Sequence, residues 1–189
     1  MIDPITLRTP RFVLSAPRDD DSDAVFRACQ DPELQKYTTV PVPYTAVDAA
    51  AFVNDYVPQA WQSGTEYVYG IRLRPDAALM GVVAWQRERG AIGYWLGAQY
   101  RGRGVMTEAV RGLLDWVFTH DDIDLLHWEA YAGNVGSAVV AQRAGFRWGG
   151  EGVCVIAGRD GTHPWGWRGT LRRDELGTVE ARSEWPVLA

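Results

Sequence analysis

Apolar residues recur along this chain with two periods, one near two residues and one near 3.6, and the switches between them outline its elements. After Pro10, the run 12–16 reads as a first strand. Asp19, Asp20, Asp21 and Asp23 supply cap and first-turn acids to a helix through Phe26 and Cys29. Three prolines interrupt 31–43, which predicts an irregular or short-helix connection. Thr45 and Asp48 resemble a capping box, with Asp where Glu or Gln is usual. Ala49, Phe52, Val53, Tyr56, Val57, Ala60 and Trp61 then follow at helical spacing. Pro58 is expected to kink or end that helix, and Gly64 to close it. Strands are predicted at 66–73, 78–86 and 91–96, an antiparallel meander. A helix over 105–119 carries Val105, Ala109, Leu113, Trp116 and Val117 on one face. A strand at 124–132 and a helix at 134–144, ended by Gly145, come next. Two further strands, 146–157 and 164–171, flank the turn Arg159-Asp160-Gly161. No element is predicted after Gly177, and Pro186 argues against a terminal helix. The order predicts a mixed α/β (α+β) chain with a central, mostly antiparallel sheet flanked by helices, not a doubly wound parallel fold. Residues 1–177 are expected to form one domain and 178–189 a tail.

Composition narrows the class. At 189 residues, 47% apolar and 23% charged, the chain can build one ordinary core without a disulfide or metal. Its longest apolar stretch, 77–85, contains Gly81 and falls far short of the ~20 residues of a membrane-spanning helix. Met1, Ile2, Asp3 and Pro4 offer no basic, then apolar, leader. Cys29 and Cys154 lack CxxC spacing, and His120, His127 and His163 make no ligand pattern, so no metal is expected. A reducing cytoplasm is the simplest home. The formal net charge of -5 argues against a nucleic-acid partner. Lys36 is the only lysine, which argues against Schiff-base or lysine general-base chemistry.

The chemistry-bearing segment is 91–109, a strand, a Gly-rich turn and a helix start. Helix starts leave about four backbone N–H groups unpaired and carry partial positive charge. Gly102 and Gly104 would let an anion approach those amides, and Arg101 and Arg103 add full charges. The physical reading is a phosphate or pyrophosphate cradle. A P-loop would need Lys-Ser/Thr where Arg103-Gly104 stands, and a dinucleotide loop a third glycine where Thr107 stands. Gln99, Gly102 and Gly104 leave the pattern Q-x-x-G-x-G.

That pattern resembles the pyrophosphate loop of the GNAT N-acetyltransferases. Gly93-Tyr94-Trp95-Leu96 before it and Thr107-Glu108-Ala109 after it look like the ribosomal-protein alanine acetyltransferase branch. Asn134 and Ser137, then Arg143-Ala144-Gly145-Phe146, are similar to that branch's second signature. Thr9-Pro10-Arg11-Phe12-Val13-Leu14 and Asp31-Pro32 resemble its opening. The resemblance implies acetyl-CoA as cosubstrate and a protein N-terminal or small-molecule amine as acceptor. It implies that the strand of Tyr94, Trp95 and Leu96 splays from its neighbour and that coenzyme A lies in the wedge. Trp95, Leu96, Gln99, Tyr100, Arg101, Gly102, Arg103, Gly104, Val105, Met106, Thr107, Asn134 and Ser137 would contact it. Ser137 is the implied general acid, although Asn134 and Ser137 suit a helix N-terminus equally. A homodimer is a family-level expectation.

No general base emerges. Glu66, Glu129 and His127 lie on predicted strands, and Glu108 suits the first turn of its helix. Another short acyl donor, such as succinyl, and a non-catalytic acyl-CoA-binding module remain alternatives. Buried cysteines are expected to be inert, so acyl transfer is expected to be direct. The chain also carries nine tryptophans. Trp85, Trp95, Trp116 and Trp128 read as core, while Trp165 and Trp167, with Tyr37 and Tyr44, are candidates for the wall of an acceptor pocket.

Overall fold

A computed structural model describes residues 4–177 and 185–188. Eight strands form one sheet: β1 (Leu7–Arg8), β2 (Val13–Ser15), β3 (Glu66–Arg72), β4 (Gly81–Gln86), β5 (Ala91–Leu96), β6 (Leu125–Tyr131), β7 (Arg147–Val153) and β8 (Trp165–Arg172). Their spatial order is β1-β2-β3-β4-β5-β6-β8-β7. Every neighbouring pair is antiparallel except β5 and β6. The meander runs as its alternation predicts. The short β1 is an addition to that prediction.

Helices α1 (Ser22–Ala28), α2 (Pro32–Tyr37), α3 (Ala46–Ala51) and α4 (Val57–Ser63) fill the connection between β2 and β3. Asp31 caps α2, accepting from the Glu33 amide at 3.2 Å, with Pro32 at the first helical position, where its missing N–H costs nothing. The Thr45–Asp48 capping box is formed. The helix it starts does not stay α-helical. Phe52–Tyr56 is a π-helical turn, and Pro58 sits in the first turn of α4 just beyond it. The wider turn accommodates a proline that a continuous α-helix could not hydrogen-bond. Gly64 ends α4 at φ 69°.

Helix α5 (Val105–His120) buries Val105, Met106, Ala109, Val110, Leu113, Leu114, Val117 and Phe118. It packs on β4, β5 and α6 (Val135–Ala144). Alanines 138, 141 and 144 form the buried stripe of α6. At the end of β3, Arg72 is fully buried and paired with buried Asp21, donating to Asp21 Oδ1 at 2.7 Å and to Ala77 O at 3.2 Å. Trp185 lies in the tail for which no element is predicted. It is buried, with its ring 5.2 Å from Trp128 and 5.3 Å from Trp148. A Cβ on Gly169 would stand 3.3 Å from its ring, so that glycine makes the room it occupies.

Candidate active site

The site starts with a strand that loses one neighbour. β5 stays paired to β4 along its whole length, ending at Gly81↔Leu96. It pairs with β6 only at Ala91↔His127. Beyond Ala91 the two strands diverge and open a wedge. A Cβ on Gly81 would stand 2.5 Å from Trp95 O, so glycine is required for β4 to hold the strand at that end.

Two cavities meet there. The smaller, about 520 Å³, runs past Gly102, Gly104 and the first turn of α5 to Asn134, Ser137 and Arg143. The larger, about 770 Å³, spreads over β3, β4 and β5 beneath the π turn. Their shared wall is Tyr37, Thr38, Tyr94, Trp95, Asn134 and Ser137. Gly102 and Gly104 have φ of 74° and 72°, a conformation glycine adopts without strain. A Cβ on Gly102 would meet nothing within 4 Å. The loop is thus open to the cavity, with the N-terminus of α5 behind it. Those features fit an anionic ligand.

Of the residues expected at a cofactor, Trp95, Leu96, Arg101, Gly102, Gly104, Val105, Met106, Thr107, Asn134 and Ser137 line the smaller cavity. Gln99, Tyr100 and Arg103 line neither cavity. The 3-10 turn Ala98–Tyr100 sets Tyr100 against the core, and Arg103 is exposed, its carbonyl accepting from Arg11 at 3.3 Å. Arg101 donates to Leu96 O at 3.1 Å and is ion-paired with Asp31. It therefore braces the loop against α2.

Ser137 lies at the centre of a network. Its amide donates to Asn134 Oδ1 at 3.1 Å, so Asn134 caps α6. Its hydroxyl donates to the Tyr94 hydroxyl at 3.1 Å and accepts from Trp128 Nε1 at 3.2 Å. The Tyr94 hydroxyl donates to Ser137 O at 2.8 Å. Burial pushes the Tyr94 pKa well above the usual phenol range, despite the opposing hydrogen bonds from Ser137 and Trp128, so the phenol keeps its proton. Tyr94 belongs to the strand motif but not to the expected site residues. Only the wedge turns its hydroxyl toward α6.

The candidate bases separate by their partners. Glu108 accepts from Thr9 Oγ1 at 2.7 Å and from Arg11 N at 2.8 Å, and is ion-paired with the Arg11 side chain. Glu129 accepts from the amides of Val155 and Ile156, both at 2.9 Å, and faces Arg168. His127 is exposed and lines neither cavity. Glu66 lines the larger cavity, where the Tyr56 hydroxyl donates to one carboxylate oxygen.

Among the aromatic acceptor-wall candidates, Tyr37 lines both cavities and Tyr44 lines the larger. Tyr37 donates to Gly133 O at 2.9 Å, tying α2 across the mouth. Trp165 and Trp167 line neither cavity, which corrects their expected position. Trp167 is buried and packs edge-on to Trp148. Trp165 begins β8 beside Val153 and donates to Glu151 at 3.2 Å. Strand parity places the two on one side, but that side is not the cavity.

A model of the acetyltransferase (GNAT) domain family matches residues 11–147. The chain belongs to the GNAT acetyltransferase family. The Bacillus subtilis protein named Probable N-acetyltransferase YjcK is 33% identical over 109 residues, 54% of this chain. The chain spans 60% of that relative's length. A Vibrio cholerae protein provisionally named a ribosomal-protein-serine acetyltransferase superposes with a TM-score of 0.80 at 21% identity, covering 91% of this chain and 99% of that one. Mycobacterium smegmatis RimJ, solved in complex with CoA-disulfide, gives a TM-score of 0.74 at 20% identity, covering 94% of this GNAT chain and 90% of its own. At these identities the two structures establish the fold.

Proposed function

We propose that this GNAT chain is an N-acetyltransferase that carries an acetyl group from acetyl-CoA directly to an amine. The supporting observation is the shared wall: the anion-cradling cavity and the larger cavity meet at Tyr94, Trp95, Asn134 and Ser137. A donor and an acceptor entering from opposite sides would meet without a covalent relay. Burial raises both cysteine thiols to about 11, so neither is a ready nucleophile.

In this reading the amides of residues 102–107 hold the pyrophosphate, and main-chain groups near Trp95 and Leu96 hold the pantetheine arm. A backbone N–H on the splayed strand stabilises the oxyanion. Ser137 turns its proton from the Tyr94 oxygen to the departing thiolate and regains one released by the attacking amine, while Trp128 holds its oxygen. The acceptor amine sits over β3–β5 in the larger cavity. A homodimer in the cytoplasm is the accompanying expectation, checked by light scattering on the purified chain.

Acetyl-CoA at millimolar concentration should raise the melting temperature, because a ligand that binds only the folded state stabilises it. Gly104→Glu should abolish the shift: it puts a carboxylate at the cradle and a side chain at φ 72°. Unchanged acetyl-CoA affinity in a folded Gly104→Glu protein would overturn the loop assignment. Parallel assays with succinyl-CoA decide between acyl donors.

A further inference from the structure

The larger cavity has a built far end. By register, Glu66↔Gln86↔Ala91 and Val82↔Trp95 lie across the same three strands, four residues apart along them. Side chains two apart share a face, so Glu66, Val68, Val82, Ala84, Gln86 and Trp95 form one floor, all lining the cavity. Glu66 stands at the end remote from the wedge. At about 3.3 Å per residue along a strand and about 4.8 Å between strands, its Cα is roughly 16 Å from that of Trp95. The floor between them is short-chained: Val68, Ala84 and Gly93.

Glu66 is held rather than loose. The Tyr56 hydroxyl donates to its Oε2. Tyr56 is delivered by the π-helical turn, which also lines the cavity with Phe52 and Asp55. Phe52 and Tyr56 stack with centroids 5.8 Å apart, an aromatic wall beside the carboxylate. The other carboxylates on this cavity are committed or peripheral. Glu129 holds two amides and Arg168. Asp48 closes its capping box with Thr45, and Asp55 is exposed. Among the described lining residues there is no lysine, arginine or histidine. The charged side chains that line the cavity are all carboxylates; Arg89, Arg159 and Arg168 reach the lining residues Gln86, Thr38, Val40 and Glu129 without lining it themselves.

We propose that Glu66, positioned by Tyr56, is a specificity-determining residue that selects acceptors carrying a second positive charge on the order of 10 Å or more from the reacting amine, the span the strand geometry leaves between the wedge and the far carboxylate. This rests on the acetyltransferase reading above. The acceptor is an extended dication: a linear polyamine, or a peptide N-terminus followed by a basic side chain. A charge-assisted hydrogen bond in a partly buried site favours such an acceptor, and the aromatic wall adds a cation–π surface.

The test is acetyl transfer from acetyl-CoA to linear α,ω-diamines of rising length, from ethylenediamine to diaminodecane, each against the monoamine of equal chain length. Short free peptides with lysine or with norleucine at the second and third positions form a second arm and separate polyamine from peptide. The ratio of kcat/KM, diamine over monoamine, should rise with length to about tenfold, the factor one charge-assisted hydrogen bond supplies. Glu66→Gln, checked for folding by its melting curve, should return the diamine ratio to about two, the statistical factor of two equivalent amines, and the peptide ratio to about one, and Tyr56→Phe should lower both in part. Glu66→Asp should keep the preference but shift the favoured length. A ratio no higher than about two for every diamine, and about one for the peptides, overturns the proposal while leaving the acetyltransferase reading intact, as does a preference that survives Glu66→Gln. Acetyl-CoA binding with no transfer to any amine overturns the proposal and the acetyltransferase reading together.

Discussion

Ser137 is the residue on which the local and the chemical roles converge. The first turn of α6 fixes its backbone through Asn134, which leaves its hydroxyl to be set by Tyr94 and Trp128. A thiolate is a good leaving group, so an acid here contributes modestly. Ser137→Ala should lower kcat by roughly a hundredfold, the low end for a general acid, while the melting shift given by acetyl-CoA persists. A role confined to the helix start would instead lower the melting temperature and spare kcat. Steady-state kinetics beside a thermal scan separates the two. The Asn-x-x-Ser spacing marks this residue in the sequence. Its partner Tyr94 is 43 positions away, and no periodicity encodes that contact.

At the scale of elements, α5 is anchored to the opposite end of the chain. Glu108, in its first turn, holds Thr9 and Arg11 within the β1–β2 turn. Burial alone would raise the Glu108 pKa. Hydrogen bonds from Thr9 and Arg11, with the Arg11 charge, more than offset it and hold the carboxyl below its ordinary 4.5. A carboxylate depressed on folding contributes stability that is fully present above the unfolded pKa and lost as pH falls through the folded one. Stability should therefore decline below about pH 4.5, and Glu108→Gln should flatten that part of the curve while lowering stability at neutral pH. Urea titrations at a series of acidic pH values measure both; an unaltered acid limb in the variant would rule the clamp out. The helix and its buried face are legible in the sequence because each depends on neighbours within one or two turns. The clamp spans 99 positions and is not. The π turn is likewise invisible to a period of 3.6, although Pro58 marks the place where that period must give way.

For the whole molecule, the tryptophan surplus resolves into structure. Trp85 and Trp128 are buried, and Trp95 lines both cavities at the wedge. Trp148, Trp167 and Trp185 make an aromatic cluster on the β6–β8–β7 side. Through Trp128 that cluster touches Ser137, so distant packing bears on the site. Trp185→Ala should cost about 3–5 kcal/mol of stability, the usual range for emptying a buried tryptophan site. Equilibrium urea denaturation would show it; a loss under 1 kcal/mol would mean the ring is not packed as described.

The sequence by itself determined the element order, the antiparallel meander, the caps at Thr45, Asn134 and Gly64, and the open glycine turn before α5. Each is a property of residues close in the chain, where backbone geometry and side-chain period act directly. Tertiary structure alone decided which faces meet. It placed Tyr94 on Ser137, set Glu66 beneath Tyr56, moved Trp165 and Trp167 away from the cavity, and filled the space over Gly169 with Trp185. Hydrophobic burial is non-directional. A pattern therefore states that a side chain is buried, and only the packed sheet and helices state against what.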